Sequence, residues 1–295
     1  MIFNQNNRYM ALHNQENWIN PREIVAWKFA HKSHRDTKII SIILAALTFI
    51  ITQSAWAGFT CSDIHGEQIR QPLLTNPGRI CFIKQPILDQ ASGTPTDAEE
   101  INLYFIPKDG KPEKAKDRGL LYDESPGQIV DAFLLQIGGD DTRKIAIIQS
   151  IEIRNSLAEP NSSGKYYSVA IFDQSDTSLQ RNERASEWFG DGYSKVTSGD
   201  ITYEFPYTTR ESIEMARTSS FSLLMARRVA IPVKIKAKSY LYEGPNIQDR
   251  TKRYLIRGDN AMVDKATGGW CHVNYNGRRG PLQMWLMCDA LAASR

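Results

Sequence analysis

Residues 254–275 read Tyr-Leu-Ile-Arg-Gly-Asp-Asn-Ala-Met-Val-Asp-Lys-Ala-Thr-Gly-Gly-Trp-Cys-His-Val-Asn-Tyr. Short runs of β-branched and aromatic residues alternate here with turn residues, which is the pattern of consecutive β-strands. The turn at 257–259 needs a residue that tolerates positive φ, and Gly258 supplies it. Residues 261–263 and 270–275 flank a Gly-Gly turn and alternate between two faces. The stretch therefore predicts a strand, a tight turn and a β-hairpin.

The same alternation extends outward from the hairpin on both sides. A loop at 243–249 and the turn Asn276-Gly277 separate the runs. Five short strands in about 60 residues predict a small closed β-barrel over 232–295, since closure removes the exposed edges of so short a sheet. The remaining strands are expected at 238–242 and 283–286, followed by a closing segment at 288–291.

The order of aromatic motifs in this segment resembles a bacterial SH3-like barrel. The motifs are Tyr-Leu-Tyr at 240–242, Tyr-Leu-Ile-Arg-Gly-Asp at 254–259, Trp-x-x-Val-x-Tyr at 270–275 and Trp-Leu at 285–286. The resemblance spans residues 232–292 and is to the barrels appended to exported proteins of Gram-negative bacteria. It implies that aromatic side chains on the barrel surface grip an extended peptide. Residues 58–230 carry no such resemblance.

Aromatic side chains of the predicted barrel are the candidate ligand-binding residues. Strand alternation cannot place all six of its tyrosines and tryptophans inside so narrow a core. We expect Tyr254 and Trp285 to lie in the core. We expect Tyr242, Trp270 and Tyr275 to line a groove.

Basic side chains concentrate in the same segment. Residues 234–295 hold eleven basic and five acidic side chains, whereas residues 58–233 carry a net charge of −6. This surface favours an anionic polymer such as peptidoglycan stems, or it docks on the acidic half of the same chain. Arg278 is added to the predicted ligand-binding residues on this ground. The basic residues are Arg250, Lys252, Arg253, Arg257, Arg278 and Arg279.

Residues 58–230 alternate short β-type runs with turn clusters. Turns are expected at 138–141, 160–164 and 191–192, where Gly, Asp, Asn and Pro gather. The spacing predicts an antiparallel β-sandwich-like domain ahead of the barrel, so the chain is expected to be mainly β. The predicted strands are 79–84, 101–106, 129–137, 144–154, 165–173 and 201–205.

One helix is predicted late in this domain. Thr208 and Glu211 form a capping-box pattern, in which each side chain satisfies a free backbone donor of the first turn. Ile213, Ala216 and Phe221 would then face inward.

The first 57 residues read as a leader with a cleavable signal peptide. A 13-residue apolar run at 39–51 follows basic residues and precedes the small-residue triplet Ala55-Trp56-Ala57. A membrane-crossing helix needs about 20 apolar residues, so no permanent span is expected, and an uncleaved signal-anchor is the alternative. Cleavage after Ala57 predicts a periplasmic or secreted protein.

The leader also accounts for the formal charge of the chain. The full sequence holds 36 basic and 33 acidic residues, and the part after Ala57 holds 30 of each. The mature protein is therefore formally neutral, and its charge gives no support for a nucleic-acid partner.

All four cysteines follow the predicted cleavage site, as expected for a chain that folds where disulfides persist. Three pairings are possible, and the sequence-local one, Cys61 with Cys81 and Cys271 with Cys288, is predicted. A metal site is the rival, but no pair has the Cys-x2-Cys spacing typical of zinc ligands. We therefore expect neither a metal nor a cofactor.

Catalytic motifs are scarce in the mature sequence. His65 and His272 are its two histidines, and no Gly-x-Ser-x-Gly nucleophile elbow occurs. Glu183 and Glu187, four residues apart beside Trp188, are the most suggestive carboxylate pair for a glycosidase. We favour a solvated acidic face for this pair, because like charges at that spacing are common on protein surfaces. No catalytic residue is therefore predicted.

These observations predict an exported, non-enzymatic protein whose barrel recognises a peptide or a cell-wall component. The partner is expected to be a peptide, peptidoglycan or another protein of the cell envelope. Two alternatives remain open. One is a periplasmic immunity-type inhibitor of a toxic cell-wall enzyme, and the other is a carboxylate-based cell-wall glycosidase.

Overall fold

The structure, a computed structural model, describes residues 58–137, 143–153, 163–277 and 280–294. The predicted leader at 1–57 and the predicted ligand-binding residue Arg278 lie outside these ranges. Within them the protein is mainly β, and its sheets are antiparallel. No helix in the described ranges has the length and apolar character needed to cross a bilayer.

The first sheet is built around one long hairpin. Its two main strands pair from Gly78 with Pro107 to Leu88 with Pro95. Both predicted strands of this region fall inside the hairpin, because their runs of Ile, Leu, Tyr and Phe suit a half-buried sheet. The strands are β1 (Glu67–Gln68), β2 (Leu73–Leu74), β3 (Gly78–Leu88), β4 (Pro95–Pro107) and β5 (Glu113–Lys114).

The second sheet has its central strand buried on both faces. Residues 145–150 are all buried, and alternate side chains of this run belong to two different hydrophobic clusters. Ile145 and Ile147 pack with the first sheet's Phe82 and Phe105, whereas Ile148 belongs to the larger cluster. The strands are β6 (Gln128–Gln136), β7 (Arg143–Glu152), β8 (Lys165–Gln174), β9 (Leu179–Arg181) and β10 (Asp191–Tyr193).

Three short helices and a small hairpin follow along the chain. Helix α1 begins after Asn182, whose side chain accepts a hydrogen bond from the backbone N–H of Ala185, and it ends at Gly190, where φ is +66°. The elements are α1 (Glu183–Phe189), β11 (Val196–Ser198), β12 (Ile201–Tyr203), α2 (Arg210–Ala216) and α3 (Leu223–Ala226).

The predicted helix cap is corrected by one residue. Thr209, not Thr208, caps α2, because its hydroxyl accepts a hydrogen bond from the backbone N–H of Ser212 at 3.2 Å. The Ser212 hydroxyl lies 3.3 Å from the backbone N of Thr209 and completes the capping box in place of Glu211. The inward-facing prediction is confirmed, since Ile213, Ala216 and Phe221 are all buried.

The C-terminal segment forms one seven-stranded antiparallel sheet. Its order is β15-β14-β18-β17-β16-β13-β19, with β17 and β18 as the central hairpin. The sequence led us to expect five strands here. The strands are β13 (Ile231–Ile235), β14 (Ser239–Tyr242), β15 (Arg250–Leu255), β16 (Asn260–Thr267), β17 (Trp270–Gly277), β18 (Gly280–Met287) and β19 (Leu291–Ala293).

One hydrophobic core joins the two segments that the sequence separates near residue 231. Ile171 and Trp188 from the first segment share a cluster with Val233 and Leu286 from the second. Residues 57–295 accordingly form one compact unit by their contacts. The larger core gives the C-terminal sheet an apolar partner that 60 residues alone cannot supply.

Both predicted disulfides are present. Cys61 is bonded to Cys81 with their Cα atoms 5.6 Å apart, and Cys271 is bonded to Cys288 with their Cα atoms 5.0 Å apart. The second disulfide ties the start of β17 to the end of β18.

An ion-pair cluster on Asp131 joins three parts of the fold. Arg70 and Arg210 each contact its carboxylate at 2.9 Å, from the loop before β2 and from the start of α2. Burial raises the pKa of Asp131, but hydrogen bonds from Arg210 and from the Ala132 N–H, with the charges of both arginines, lower it further. Its pKa therefore lies below the ordinary value of 3.8.

We expect Asp131→Asn to reduce the free energy of unfolding at pH 7 by about 1–2 kcal/mol. Because the folded-state pKa is depressed, this contribution is complete above pH 3.8 and is lost as the pH falls through the folded-state pKa. Urea unfolding of both proteins from pH 7 to pH 2 measures it. Asp97→Asn, at an exposed position, is the control. A difference between Asp131→Asn and the unmodified protein that is independent of pH contradicts the assignment.

Candidate functional site

A cavity of about 780 Å³ lies where helix α1, the link from α3 to β13, and strands β16 and β17 meet. We call it the charged cleft. Seven of its side chains are acidic or basic and one is a histidine. Its lining residues are Glu183, Arg184, Glu187, Trp188, Leu224, Arg227, Arg228, Val229, Ala230, Asp264, Lys265, Ala266 and His272.

A β-bulge places Asp264 in this cleft. The pairing of β16 with β17 shifts between Val263 and Lys265, which leaves Asp264 as the extra residue. Its carboxylate lies 2.7 Å from His272 Nδ1 and accepts a hydrogen bond from Asn274 Nδ2, also at 2.7 Å. Burial raises the pKa of Asp264, but these two hydrogen bonds lower it more, so that it lies below 3.8. Asp264 is therefore ionised at neutral pH.

His272 is held in place from two sides. One ring nitrogen meets Asp264, and the ring lies against Trp285 with centroids 5.1 Å apart. The imidazole is therefore oriented and stays partly accessible, with 22% of its side chain exposed. His272 also lines the charged cleft.

Trp188 forms an apolar wall of the charged cleft. It is 5% exposed, and its indole N–H donates to the carbonyl of Phe221 at 3.1 Å. Tyr207 stacks on it with ring centroids 5.5 Å apart. These contacts fix helix α1 against α3 and so set the spacing of the charged groups above the ring.

The two candidate carboxylates of α1 differ in their surroundings. Glu183 pairs with Arg181 at 3.2 Å and lies 3.8 Å from Arg118. Glu187, one turn later, forms no ion pair with any described residue. Both are exposed and line the cleft, and Glu187 is the one available to a ligand.

Four basic side chains line the charged cleft together with Glu187. Arg184 is anchored, because its guanidinium donates to the carbonyl of Ala226 at 3.1 Å. Arg227, Arg228 and Lys265 form no ion pair within the described part of the chain. A ligand that carries carboxylates would supply the partners that these three cations lack.

A second cavity, of about 500 Å³, adjoins the charged cleft on the other side of α1. Glu187 and Lys265 line both cavities, and Arg118, Arg181 and Asp191 add charges to the second. The two cavities together offer an extended, mixed-charge surface.

Two of the predicted groove residues are not exposed, which corrects that expectation. Tyr242 is 5% exposed and Trp270 is 2% exposed. The β11–β12 hairpin packs against both, because Val196 joins them in one hydrophobic cluster and Tyr203 stacks on Trp270 at 5.6 Å.

The other aromatic residues of this segment also differ from their expected exposure. Tyr275 is partly buried and packs against the main core. Tyr254, expected in the core, is 49% exposed, because it lies on β15 at the edge of the sheet. Trp285 is partly buried, as part of the cluster around Trp270. The aromatic residues therefore do not form the open groove that we expected.

Sequence reasoning missed most of the charged cleft. The Arg227-Arg228 pair after a helix was a visible signal, whereas the bulge at Asp264 leaves no mark in the sequence. Among the described residues, no three His, Cys, Asp or Glu side chains gather as a metal site.

Comparisons with protein-family models, curated proteins and solved structures found no match to this chain. The geometry of the cavities and the chemistry of their side chains are therefore the basis for a function.

Proposed function

We propose that this chain is an exported binding protein without catalytic activity, and that its charged cleft recognises a peptide of the cell wall. The observation that carries the proposal is that Arg227, Arg228, Lys265 and Glu187 line one cavity and form no ion pair with any residue that the structure describes. Four charges that the fold itself does not neutralise favour a ligand with charges of both signs.

Peptidoglycan stem peptides have this chemistry, since they carry carboxylates and a free amine on a short extended chain. The carboxylates would meet the arginines and Lys265, and the amine would meet Glu187. The adjoining cavity gives room for further residues of the peptide. An apolar wall at Trp188 would contact its aliphatic parts.

The compartment and the domain types belong to the same proposal. The apolar leader followed by Ala-x-Ala supports export, and two disulfides in a chain without free cysteines are compatible with it. The aromatic motifs of 240–286 support an SH3-like barrel in the C-terminal sheet. The cluster shared by the first two sheets supports a sandwich-like packing of the N-terminal half.

The test is co-sedimentation with purified peptidoglycan sacculi. The chain from Gly58 onward should pellet with sacculi. The triple variant Arg227→Glu, Arg228→Glu, Lys265→Glu should bind at least tenfold more weakly, because three charge-assisted contacts of about 1.5–3 kcal/mol each become repulsive. The matched control reverses three exposed charges of the C-terminal sheet and its turn, outside the cleft: Lys252→Glu, Arg253→Glu and Arg257→Glu.

The control also separates two surfaces, since its residues belong to the basic set identified from the sequence. If the control variant loses binding and the cleft variant does not, the binding site lies on the β15 surface and the proposal for the charged cleft is wrong. No pelleting by either protein overturns cell-wall binding and points to a protein partner, as for an immunity-type inhibitor.

A carboxylate-based glycosidase is the second candidate, because Glu183 and Glu187, the pair noted in the sequence, line this cleft together with Asp264. Two carboxylates across a sugar-sized space are the minimum that such an enzyme needs. Release of soluble fragments from sacculi, abolished in Glu187→Gln, would favour this reading over binding alone.

A further inference from the structure

A smaller pocket, of about 200 Å³, lies between the β11–β12 hairpin and the loop before β15. We call it the aromatic pocket. It is separate from the charged cleft, with which it shares no lining residue. Its lining residues are Tyr166, Asp191, Gly192, Tyr193, Val196, Tyr203, Pro245, Asn246, Ile247, Thr267, Gly268 and Trp270.

Four aromatic rings from four different strands wall this pocket. Tyr166 and Tyr193 meet edge to face, with centroids 5.1 Å apart and planes at 87°. Tyr203 stacks on Trp270 with centroids 5.6 Å apart. The rings are held by the sheet rather than by mobile loops, so the pocket is formed before any ligand arrives.

Two hydroxyl groups of the pocket are already used by hydrogen bonds within the protein. The Tyr166 hydroxyl donates to Asp191 at 2.6 Å, and the Tyr203 hydroxyl donates to the carbonyl of Gly268 at 2.6 Å. Burial raises the pKa of both tyrosines, so that both hydroxyls stay protonated as donors. Both hydroxyls are therefore occupied, and because Trp270 is 2% exposed, the pocket offers a ligand mainly its tyrosine rings and the carboxylate of Asp191.

The charge of the pocket is negative. Asp191 lines it, and among the described residues no Lys, Arg or His does. Its second carboxylate oxygen is not used by Tyr166. Asp191 also lines the adjoining cavity of about 500 Å³ together with Arg118, Arg181 and Lys265, but none of these cations lines the aromatic pocket. A carboxylate beside several aromatic side chains is an arrangement that stabilises an organic cation.

We propose that the aromatic pocket binds a quaternary ammonium group. Such a cation makes no hydrogen bonds and is weakly hydrated, so it enters a site of aromatic faces more readily than a primary amine does. The carboxylate of Asp191 supplies the opposite charge. The trimethylammonium head of choline is the simplest group of this kind, whether free or carried on a lipid. This inference is independent of the cell-wall function proposed above.

Isothermal titration of the chain from Gly58 onward with choline tests the proposal. Choline should bind at least about tenfold more tightly than 3,3-dimethyl-1-butanol, its neutral isostere, since only choline has the charge. Ethanolamine, with a primary ammonium, should also bind more weakly. Equal binding of choline and the neutral isostere overturns the proposal, as does no binding of choline at about 10 mM.

Two variants test whether choline binds in the aromatic pocket. Asp191→Asn removes the charge and keeps the shape, and Tyr193→Leu removes one ring, so each should weaken choline binding by about five- to thirtyfold. Asp176→Asn and Tyr254→Leu make the same exchanges at exposed positions outside the pocket and should leave binding unchanged. Near-ultraviolet circular dichroism confirms that each variant is folded. If both pocket variants bind choline normally, the site is elsewhere and the assignment is wrong.

Vesicles distinguish the two sources of the group. Co-flotation with phosphatidylcholine vesicles but not with phosphatidylethanolamine vesicles indicates a lipid headgroup. Binding of free choline without co-flotation indicates a small soluble ligand. Asp191→Asn should reduce binding in either case.

Discussion

Replacing Trp270 by alanine is expected to lower the free energy of unfolding by about 3–5 kcal/mol, the range for deleting a large buried aromatic side chain. Trp270 is 2% exposed, and it contacts Tyr203 and Tyr242 with centroids 5.6 and 4.9 Å away. Its loss leaves a cavity under the β11–β12 hairpin, and the neighbouring aromatic rings cannot move far enough to fill it. Urea unfolding followed by circular dichroism measures the change.

Tyr254→Ala is the matched control, because Tyr254 lies in the same sheet and is 49% exposed. It should cost less than about 1 kcal/mol. If Trp270→Ala costs as little as the control, the hairpin does not cover the ring in solution. The original expectation of an exposed aromatic groove would then be restored.

Removing the disulfide between Cys271 and Cys288 is expected to cost about 3 kcal/mol. The two residues are 17 apart in sequence, and closing a loop of that size restricts the unfolded chain by about this much. The double variant Cys271→Ala, Cys288→Ala should therefore unfold at a clearly lower urea concentration. The Cys61→Ala, Cys81→Ala variant, with a separation of 20, should lose a similar amount.

Dithiothreitol provides the control for this prediction. It should destabilise the unmodified protein by about the sum of both effects, and each double variant by the remaining one. The variant without cysteines should be insensitive to it. Four free thiols in the native protein, found by mass measurement after alkylation, would contradict both disulfides and weaken the proposed export.

Strand positions were predictable from local sequence. The β-rich runs at 144–154 and 165–173 became β7 and β8 with ends that shift by at most two residues. Their side chains are apolar over consecutive positions, and such a run buries both faces of a strand wherever it lies in the sheet. The sequence-local disulfides were predictable for a similar reason, since each joins neighbouring parts of the chain.

The role of helix α1 in the charged cleft does not follow from its local sequence. Glu183 and Glu187 were identified as a pair, but their four-residue spacing was read as a surface pattern. The N-cap residue of this helix is Asn182, and asparagine is a residue type that favours this position, so the sequence does contain a signal for the helix start. The side of this helix that faces the cleft depends on how Trp188 packs. The indole N–H of Trp188 donates to the carbonyl of Phe221, which lies 33 positions further along the chain.

The sequence by itself determined the β character of the chain, most strand positions and the cysteine pairs, because each depends on residues close together along the chain. The positions of the cavities and of the side chains that line them depend on the tertiary structure. The cover over Trp270 comes from Val196 and Tyr203, far upstream. One extra residue in β16 decides where Asp264 points, since strand side chains alternate and a bulge resets the alternation. Binding surfaces depend on such distant contacts, which no local pattern records.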